Sequence, residues 1–163
     1  MTMPKIDSSQ TFPDANDDDD AWNAHADHCR DFIKGDLECW LAERFKHSSR
    51  YIRQNLGGLG NTLCIRTNQY DLYLRLFPAS HNGWPRNNLT IARIGFKKKR
   101  TGHGRSLVQA LVKLAPVYGY RTIYIEQAND ESSAFAQRLG FTPDAERRNW
   151  RGDVETLRQT AFR

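Results

Sequence analysis

Residues 88–141 read NLTIARIGFKKKRTGHGRSLVQALVKLAPVYGYRTIYIEQANDESSAFAQRLGF. This stretch decides the fold, because two short apolar runs typical of strands alternate with two segments whose apolar residues recur at helical spacing. Pro116 removes the hydrogen bond to the Val112 carbonyl, so the longer helix should kink or end there. Gly140 is the residue type that commonly ends helices. We therefore predict a strand, a helix, a second strand and a short helix, in this order: Leu89–Phe96, Gly102–Tyr118, Thr122–Glu126 and Asp130–Leu139.

The loop between the first strand and the first helix has the composition of an anion site. It reads KKKRTGHGR over Lys97–Arg105. The first backbone N–H groups of a helix have no partner inside the helix, and the positive end of the helix dipole lies behind them. Gly102 and Gly104 would let the backbone approach a phosphate without a Cβ in the way. A GxG alone is usually an ordinary turn and a KKKR run a solvated patch. Their place in this order of elements favours a site for a phosphate-bearing ligand.

The rest of the chain predicts helices followed by a hairpin. Apolar residues recur at helical spacing over Ala21–Gln54. The Lys34-Gly35-Asp36 segment should divide this region into two helices, because glycine disfavours helix interiors and aspartate is a good cap. The glycine-rich segment Gly57–Asn61 should end the helical region. Two antiparallel strands should follow, Thr62–Arg66 and Tyr70–Phe77. The segment Pro78–Arg86 is predicted to be a loop, and Val154–Thr160 could supply one more strand.

Charge divides the chain into an acidic arm and a basic body. Residues 1–20 hold six aspartates and one lysine, a run of like charges that predicts a disordered arm. Residues 21–163 hold 23 Lys/Arg against 13 Asp/Glu and are long enough for a single domain with a buried core. A basic body suits anionic partners, such as the phosphates of a cofactor, nucleic acid or an acidic protein. Solubility alone would explain the same imbalance.

The remaining composition predicts a reduced cytoplasmic protein. The chain has three cysteines, which cannot all pair, and none lies in a CxxC motif. No stretch approaches the roughly 20 apolar residues that a membrane span needs, and residues 1–10 lack the apolar core of a signal peptide. We expect no membrane association and no metal site.

Two motifs in the stretch resemble those of the GNAT superfamily, the acyl-CoA-dependent N-acetyltransferases. The segment Lys99-Arg100-Thr101-Gly102-His103-Gly104 resembles the family's Gln/Arg-x-x-Gly-x-Gly/Ala phosphate motif, with lysine in the first place. The strand IYIE, then Asn129, a short helix and the end Leu139-Gly140-Phe141 resemble its second signature. The resemblance implies a single α/β domain with a mixed, mostly antiparallel sheet, flanking helices and a V-shaped cofactor cleft beside a parallel strand pair.

The same resemblance implies acetyl-CoA as the cofactor and assigns roles in binding it. Backbone amides from Arg100 to Arg105 would bind the pyrophosphate, the end of the first strand would pair with the pantetheine arm, and Asn129 would hydrogen-bond that arm. Phe135 would pack beside it, although its spacing suits a core position equally well. The implied cofactor-binding residues are Ile94, Gly95, Phe96, Lys99, Arg100, Thr101, Gly102, His103, Gly104, Arg105, Asn129, Ser132 and Phe135.

The chain departs from the family where catalysis is concerned. The family often has a tyrosine as general acid at a position that is Ala136 in this chain. The family's general base often comes from the strand that corresponds to Asn88–Phe96, but this strand holds no Asp or Glu. The candidates that remain are Glu126 as base and Tyr124 as acid. Each of these residues could also have no catalytic role. Glu126 could be a solvated or salt-bridged carboxylate at the end of a strand, and Tyr124 could be a core residue. Ser132 and its neighbour Ser133 could donate to the sulfur or could simply cap the helix that they open.

Two further departures concern the sheet. The family's first strand has no clear counterpart before Ala21, and the tail after Phe141 looks short for two closing strands.

These observations favour transfer of an acetyl group from acetyl-CoA to an amine of a protein, an aminoacyl-RNA or a small molecule. The basic body favours an acidic protein segment or an aminoacyl-RNA over a cationic metabolite. The alternative function is a catalytically silent GNAT-like module that binds nucleic acid or a protein partner. The patterns above say nothing about oligomeric state.

Overall fold

In the described part of the chain, helices pack against one seven-stranded sheet. The structure is a computed structural model and describes residues 11–77 and 83–163. Half of the predicted acidic arm and residues 78–82 of the predicted loop therefore lie outside the described residues. The helices are α1 (Asp19–Phe45), α2 (Ser49–Asn55), α3 (His103–Leu114, continued by a 3₁₀ turn over Ala115–Tyr118), α4 (Asp130–Leu139) and α5 (Val154–Thr160). The strands are β1 (Leu56–Leu59), β2 (Thr62–Arg66), β3 (Tyr70–Arg75), β4 (Asn88–Phe96), β5 (Thr122–Ile125), β6 (Thr142–Pro143) and β7 (Trp150–Asp153).

The strand order confirms the predicted fold class. The order across the sheet is β1-β2-β3-β4-β5-β7-β6. Every neighbouring pair is antiparallel except β4 and β5, which are parallel. The chain therefore has the predicted mixed, mostly antiparallel sheet, with its parallel pair formed by the two strands of the 88–141 stretch.

A bulge in β4 and an early end to its pairing open the sheet. Tyr73 pairs with Arg93 and Leu74 with Ile91, so that Ala92 is the extra residue of a β-bulge. Pairing between β4 and β5 ends at Ile91, whose carbonyl accepts the last bond from the backbone N–H of Glu126 at 3.0 Å. Residues 92–96 of β4 then continue with no β5 partner. Beyond Ile91 the sheet is therefore open on the β5 side of β4.

The predicted break in the first helix is wrong. Helix α1 runs without interruption for 27 residues and includes Gly35. A glycine costs a helix interior only about 1 kcal/mol, while Ile33 and Leu37 on either side are buried in the core. Asp36 does not cap a helix, because its carboxylate accepts a hydrogen bond from the Tyr118 hydroxyl at 2.6 Å. Tertiary contacts therefore outweigh the local propensity.

The C-terminal prediction is also wrong, since residues 154–160 form helix α5. Val154, Leu157 and Ala161 are all buried, at a spacing that suits one face of a helix. Gly152 permits this packing, because a Cβ there would lie 2.5 Å from the Leu157 side chain. The two closing strands are present but short, as β6 and β7.

The edge of the sheet also differs from the prediction. The sequence predicts only an end to the helical region at Gly57–Asn61, but residues 56–59 form strand β1, which pairs with β2. In the described part of the segment before Ala21, residues 11–20 form a turn and the start of α1.

Candidate functional site

A cavity of about 360 Å³ lies next to the unpaired end of β4. It lies between the end of β4, the loop that leads into α3, and α4. All thirteen residues that the sequence resemblance implied for cofactor binding line it, together with Lys98, Glu131 and Arg138. Lys98 lies inside the glycine-loop motif, while Glu131, Phe135 and Arg138 recur at helical spacing on α4, so a search for one helix face could have found the two charged residues.

The N-terminus of α3 is exposed to this cavity without a side-chain cap. Gly102 is the N-cap residue with φ of +84°, a left-handed conformation that favours glycine, and it cannot supply a capping side chain. The first hydrogen bond of the helix is donated by the backbone N–H of Ser106 to the Gly102 carbonyl at 2.9 Å. The N–H groups of His103, Gly104 and Arg105 have no acceptor in the described residues. Three donors and the helix dipole therefore point to one place.

Gly104 allows α3 and α4 to approach each other. A Cβ at this position would lie 2.9 Å from two ring carbons of Phe135, closer than side chains tolerate. Phe135 lines the cavity and also packs against the core. The position of Phe135 is therefore compatible both with contact to a cofactor and with a core role. Gly104, the second glycine of the motif, has a packing role that the sequence did not predict.

Positive charge predominates around the cavity. Among the residues that the structure describes, its lining carries five Lys or Arg side chains and one carboxylate, that of Glu131. Lys99 Nζ donates to Glu131 Oε2 at 2.9 Å, and this exposed ion pair joins the loop to the first turn of α4. Arg105 donates to the carbonyls of Ala161 and Arg163, at 3.3 and 3.1 Å, so part of its hydrogen-bonding capacity is already used by the C-terminal segment.

Asn129 is the N-cap of α4 and retains a free donor. Its Oδ1 accepts hydrogen bonds from both the backbone N–H and the hydroxyl of Ser132, each at 2.8 Å. Its Nδ2 has no acceptor in the part of the chain that the structure describes. Ser133 instead accepts from Trp150 Nε1 at 3.2 Å, away from the cavity lining. Of the two serines, only Ser132 lies at the cavity.

Neither of the two candidate catalytic residues belongs to the cavity lining. Glu126 follows β5 where the pairing of β5 with β4 ends, and it forms an ion pair with Arg75 of β3. Its side chain is 13% exposed and that of Arg75 is 29% exposed. Tyr124 is buried, and its ring stacks on that of Trp84 with centroids 4.2 Å apart.

Ala136, the place of the missing tyrosine, is fully buried and contributes to the core. It is not part of the cavity lining.

Helix α1 contributes to this region, which no pattern in the sequence indicated. Arg44 donates from Nε to His103 Nδ1 at 2.9 Å and from Nη2 to the Thr101 carbonyl at 3.0 Å. Partial burial, Arg44 and Lys98 together lower the pKa of His103. Arg44 lies 59 residues before His103, and no local motif connects them.

Neither a metal cluster nor a membrane-spanning helix occurs among the described residues. Within residues 11–77 and 83–163, no group of three or more His, Cys, Asp or Glu could hold a metal ion. None of the helices in these ranges combines the length and the apolar character that a bilayer crossing requires.

Comparisons with known proteins find distant likenesses among solved structures. No protein-family profile and no curated protein matches the chain. AtaTR bound with acetyl-CoA is 16% identical, over 69% of this chain and 77% of that one, with a TM-score of 0.44. The KacTA–DNA complex is 17% identical, over 60% and 69%, with a TM-score of 0.42. Tetrahymena GCN5 is 13% identical, over 75% and 86%, with a TM-score of 0.43.

Proposed function

We propose that this chain is an acyl-CoA-dependent N-acetyltransferase, which binds acetyl-CoA in the cleft between β4 and β5 and transfers the acetyl group to an amine. One observation carries the proposal: the uncapped start of α3, the unpaired edge of β4 and the free amide of Asn129 all border a single cavity. Each suits a different part of a long, phosphate-bearing thioester.

The phosphate end of acetyl-CoA would lie at the loop before α3. The backbone N–H groups of residues 103–105 would donate to the pyrophosphate, with the helix dipole adding to the attraction. The exposed side chains of Lys98, Lys99 and Arg100 would supply charge for a further phosphate. Lys99 would then exchange its carboxylate partner Glu131 for a phosphate oxygen.

The pantetheine arm would run along the free edge of β4. Residues 92–96 have lost their β5 partner, so backbone groups on that side can bond the amides of the arm as a neighbouring strand would. Asn129 Nδ2 would donate to the arm from the opposite wall, and the ring of Phe135 would cover its apolar part. The thioester would then lie near Ile91 and Glu126, where the strands separate.

The chemistry needs an unprotonated amine and a good leaving group. The amine nitrogen forms a bond to the thioester carbonyl carbon, the carbon–sulfur bond breaks, and the amine proton passes to a base while the thiolate takes up a proton. Holding the two reactants together can contribute about 7–11 kcal/mol at best, whereas acid–base assistance typically adds about 10²–10⁴-fold. Alanine at position 136 therefore lowers the expected rate but leaves a route to catalysis.

Glu126 is the proposed base and Tyr124 the proposed acid, each with a specific difficulty. Glu126 follows the end of the β4–β5 pairing but is engaged by Arg75, so it would accept a proton through the carboxylate oxygen that the pair leaves free. Tyr124 is buried beneath Trp84 and would need access to the sulfur. The position of Glu126 supports its proposed role better than the position of Tyr124 does.

The proposed acceptor is an amine on an anionic molecule. The excess of basic residues over residues 21–163 would repel a cationic metabolite and attract an acidic protein segment or an aminoacyl-RNA. The proposed function is tested by incubating the protein with acetyl-CoA and such acceptors while measuring thiol release. Thiol release that depends on the acceptor is expected.

A second candidate function is a silent GNAT-like module that binds nucleic acid or a protein partner. The observations that favour it are the buried Ala136 and the ion-paired Glu126, because neither offers a ready acid or base. Coenzyme A binding without thiol release for any amine would support this candidate.

A further inference from the structure

Arg44 joins the last turn of α1 to the loop that opens α3. Its two hydrogen bonds end on His103 and on the carbonyl of Thr101, at 2.9 and 3.0 Å. Between these two residues stands Gly102, the left-handed N-cap of α3. Helix α1 therefore holds the loop on both sides of the glycine that starts the helix.

The ring of His103 is also fixed by aromatic contacts. Its centroid lies 4.6 Å from that of Phe45 in α1 and 5.3 Å from that of Phe96 in β4. Phe45 and Phe96 themselves stack nearly in parallel, 15° apart. Contacts from α1 and β4 together leave the imidazole little freedom to rotate.

The bond from Arg44 determines where the imidazole carries its proton. A guanidinium N–H can only donate, so His103 Nδ1 accepts and carries no hydrogen. The proton of the neutral ring is therefore on Nε2, for which the described residues offer no acceptor.

The charged groups around the His103 ring all favour its neutral form. Arg44 from α1 and Lys98 from the loop are both cations, and the rings of Phe45 and Phe96 bring no charge. Together with burial, these cations lower the pKa of His103, so the neutral form persists at neutral pH.

We propose that Arg44 is a positioning residue of the cleft, which holds His103 as the Nε2–H tautomer so that this side chain donates a hydrogen bond to a phosphate oxygen of the acyl carrier. This inference rests on the proposed function, since it assumes that a coenzyme A phosphate lies at the start of α3. It adds a side-chain donor to the backbone donors there. It also makes the end of α1 part of the binding site, although Arg44 itself does not line the cavity.

The first test is spectroscopic and needs no ligand. Long-range ¹H–¹⁵N NMR spectra of the wild-type protein should show His103 as the neutral Nε2–H tautomer at pH 7. Arg44→Met, which keeps the apolar stem and removes the guanidinium, should raise the pKa of His103 and populate both tautomers. A wild-type His103 protonated on Nδ1 at pH 7 would overturn the proposal.

The second test measures coenzyme A affinity by calorimetry. Arg44→Met and His103→Ala should each weaken binding by about 10-fold, the typical worth of a hydrogen bond to a charged group. The matched control is Arg53→Met, because Arg53 is an exposed arginine of α2 that pairs with Glu38 away from the cavity. This control should bind as the wild type does.

A double mutant separates an indirect role from a direct one. If Arg44 acts through His103, the Arg44→Met/His103→Ala protein should lose less affinity than the product of the two single losses. Either of two results would overturn the positioning role of Arg44: a loss of coenzyme A affinity in the double mutant equal to the product of the two single losses, or wild-type affinity in Arg44→Met. Absence of binding to the wild-type protein would instead contradict the proposed function.

Discussion

Glu126 and Arg75 form an ion pair that spans strand β4 beside its bulge. Arg75 belongs to β3 and Glu126 follows β5, so the pair joins the two strands on either side of β4, where the pairing of β4 with β5 ends. The side chain of Glu126 is largely buried, and removing one partner of such a pair leaves the other charge unpaired. The pair therefore serves the structure as well as the proposed chemistry, and the two roles make different predictions.

Glu126→Gln should lower turnover by about 10²-fold or more at neutral pH, because glutamine cannot take up the amine proton. Affinity for acetyl-CoA should change little, since Glu126 does not line the cavity. Steady-state kinetics and calorimetry measure the two quantities separately. Glu155→Gln, which alters an exposed carboxylate of α5, is the control. Equal turnover in the variant and the wild type between pH 6 and 9 would return Glu126 to a purely structural role.

Gly104→Ala should destabilise the protein by about 1–3 kcal/mol, because the new methyl group would lie 2.9 Å from the ring of Phe135. Adding Phe135→Leu should recover part of the loss by making room. Gly35→Ala provides the opposite control, since nothing lies within 4 Å of its Cβ position in the interior of α1. That change should stabilise the protein by roughly 0.5–1 kcal/mol. Urea denaturation measures all four proteins, and a Gly104→Ala variant as stable as the wild type would refute the close approach of α3 and α4.

Neutralising Lys97, Lys98, Lys99 and Arg100 distinguishes the two candidate functions. If these residues serve the cofactor, coenzyme A binding should fall strongly while binding to RNA or DNA falls slightly. If they form a nucleic-acid surface, the order reverses, and each lost phosphate contact reduces the slope of log K against log salt by about one. Titration of both ligands into the same quadruple variant decides between them. Intact coenzyme A binding with a large loss for nucleic acid would favour the silent module.

Stability should decrease as the pH falls below about 6.5, partly because of His25. Its Nε2 donates to the Tyr118 carbonyl at 2.6 Å, and its ring lies among Phe12, Trp22 and Tyr120. Burial, opposed in part by the Tyr118 bond, lowers the pKa of His25 from its ordinary value of 6.5. The unfolded chain therefore binds more protons than the folded one just below that value, and the stability present above it is lost on acidification.

The contribution of His25 is measured by urea denaturation at pH 5 and pH 7.5. The decrease in the free energy of unfolding should be smaller in His25→Gln than in the wild type. An equal decrease in the two proteins would exclude this histidine as a cause.

The sequence predicts the 88–141 stretch well because its signals are local. Helical spacing, Pro116 and Gly140 set the ends of α3 and α4 within a few residues. The helical break at Gly35 and the strand at residues 154–160 are wrong because buried contacts from distant segments decide both. Local patterns cannot reveal that Arg44 bonds His103 or that Arg75 pairs with Glu126, since 59 and 51 residues separate the partners.

The proposal that the cleft binds acetyl-CoA is tested by the thermal unfolding of the wild-type protein with increasing acetyl-CoA. A ligand that binds only the folded state stabilises it by about 2.7 kcal/mol at one hundred times its Kd. We predict a melting temperature that rises continuously with acetyl-CoA concentration and rises less in the variant with residues 97–100 neutralised. An unchanged melting temperature at millimolar acetyl-CoA would contradict the claim.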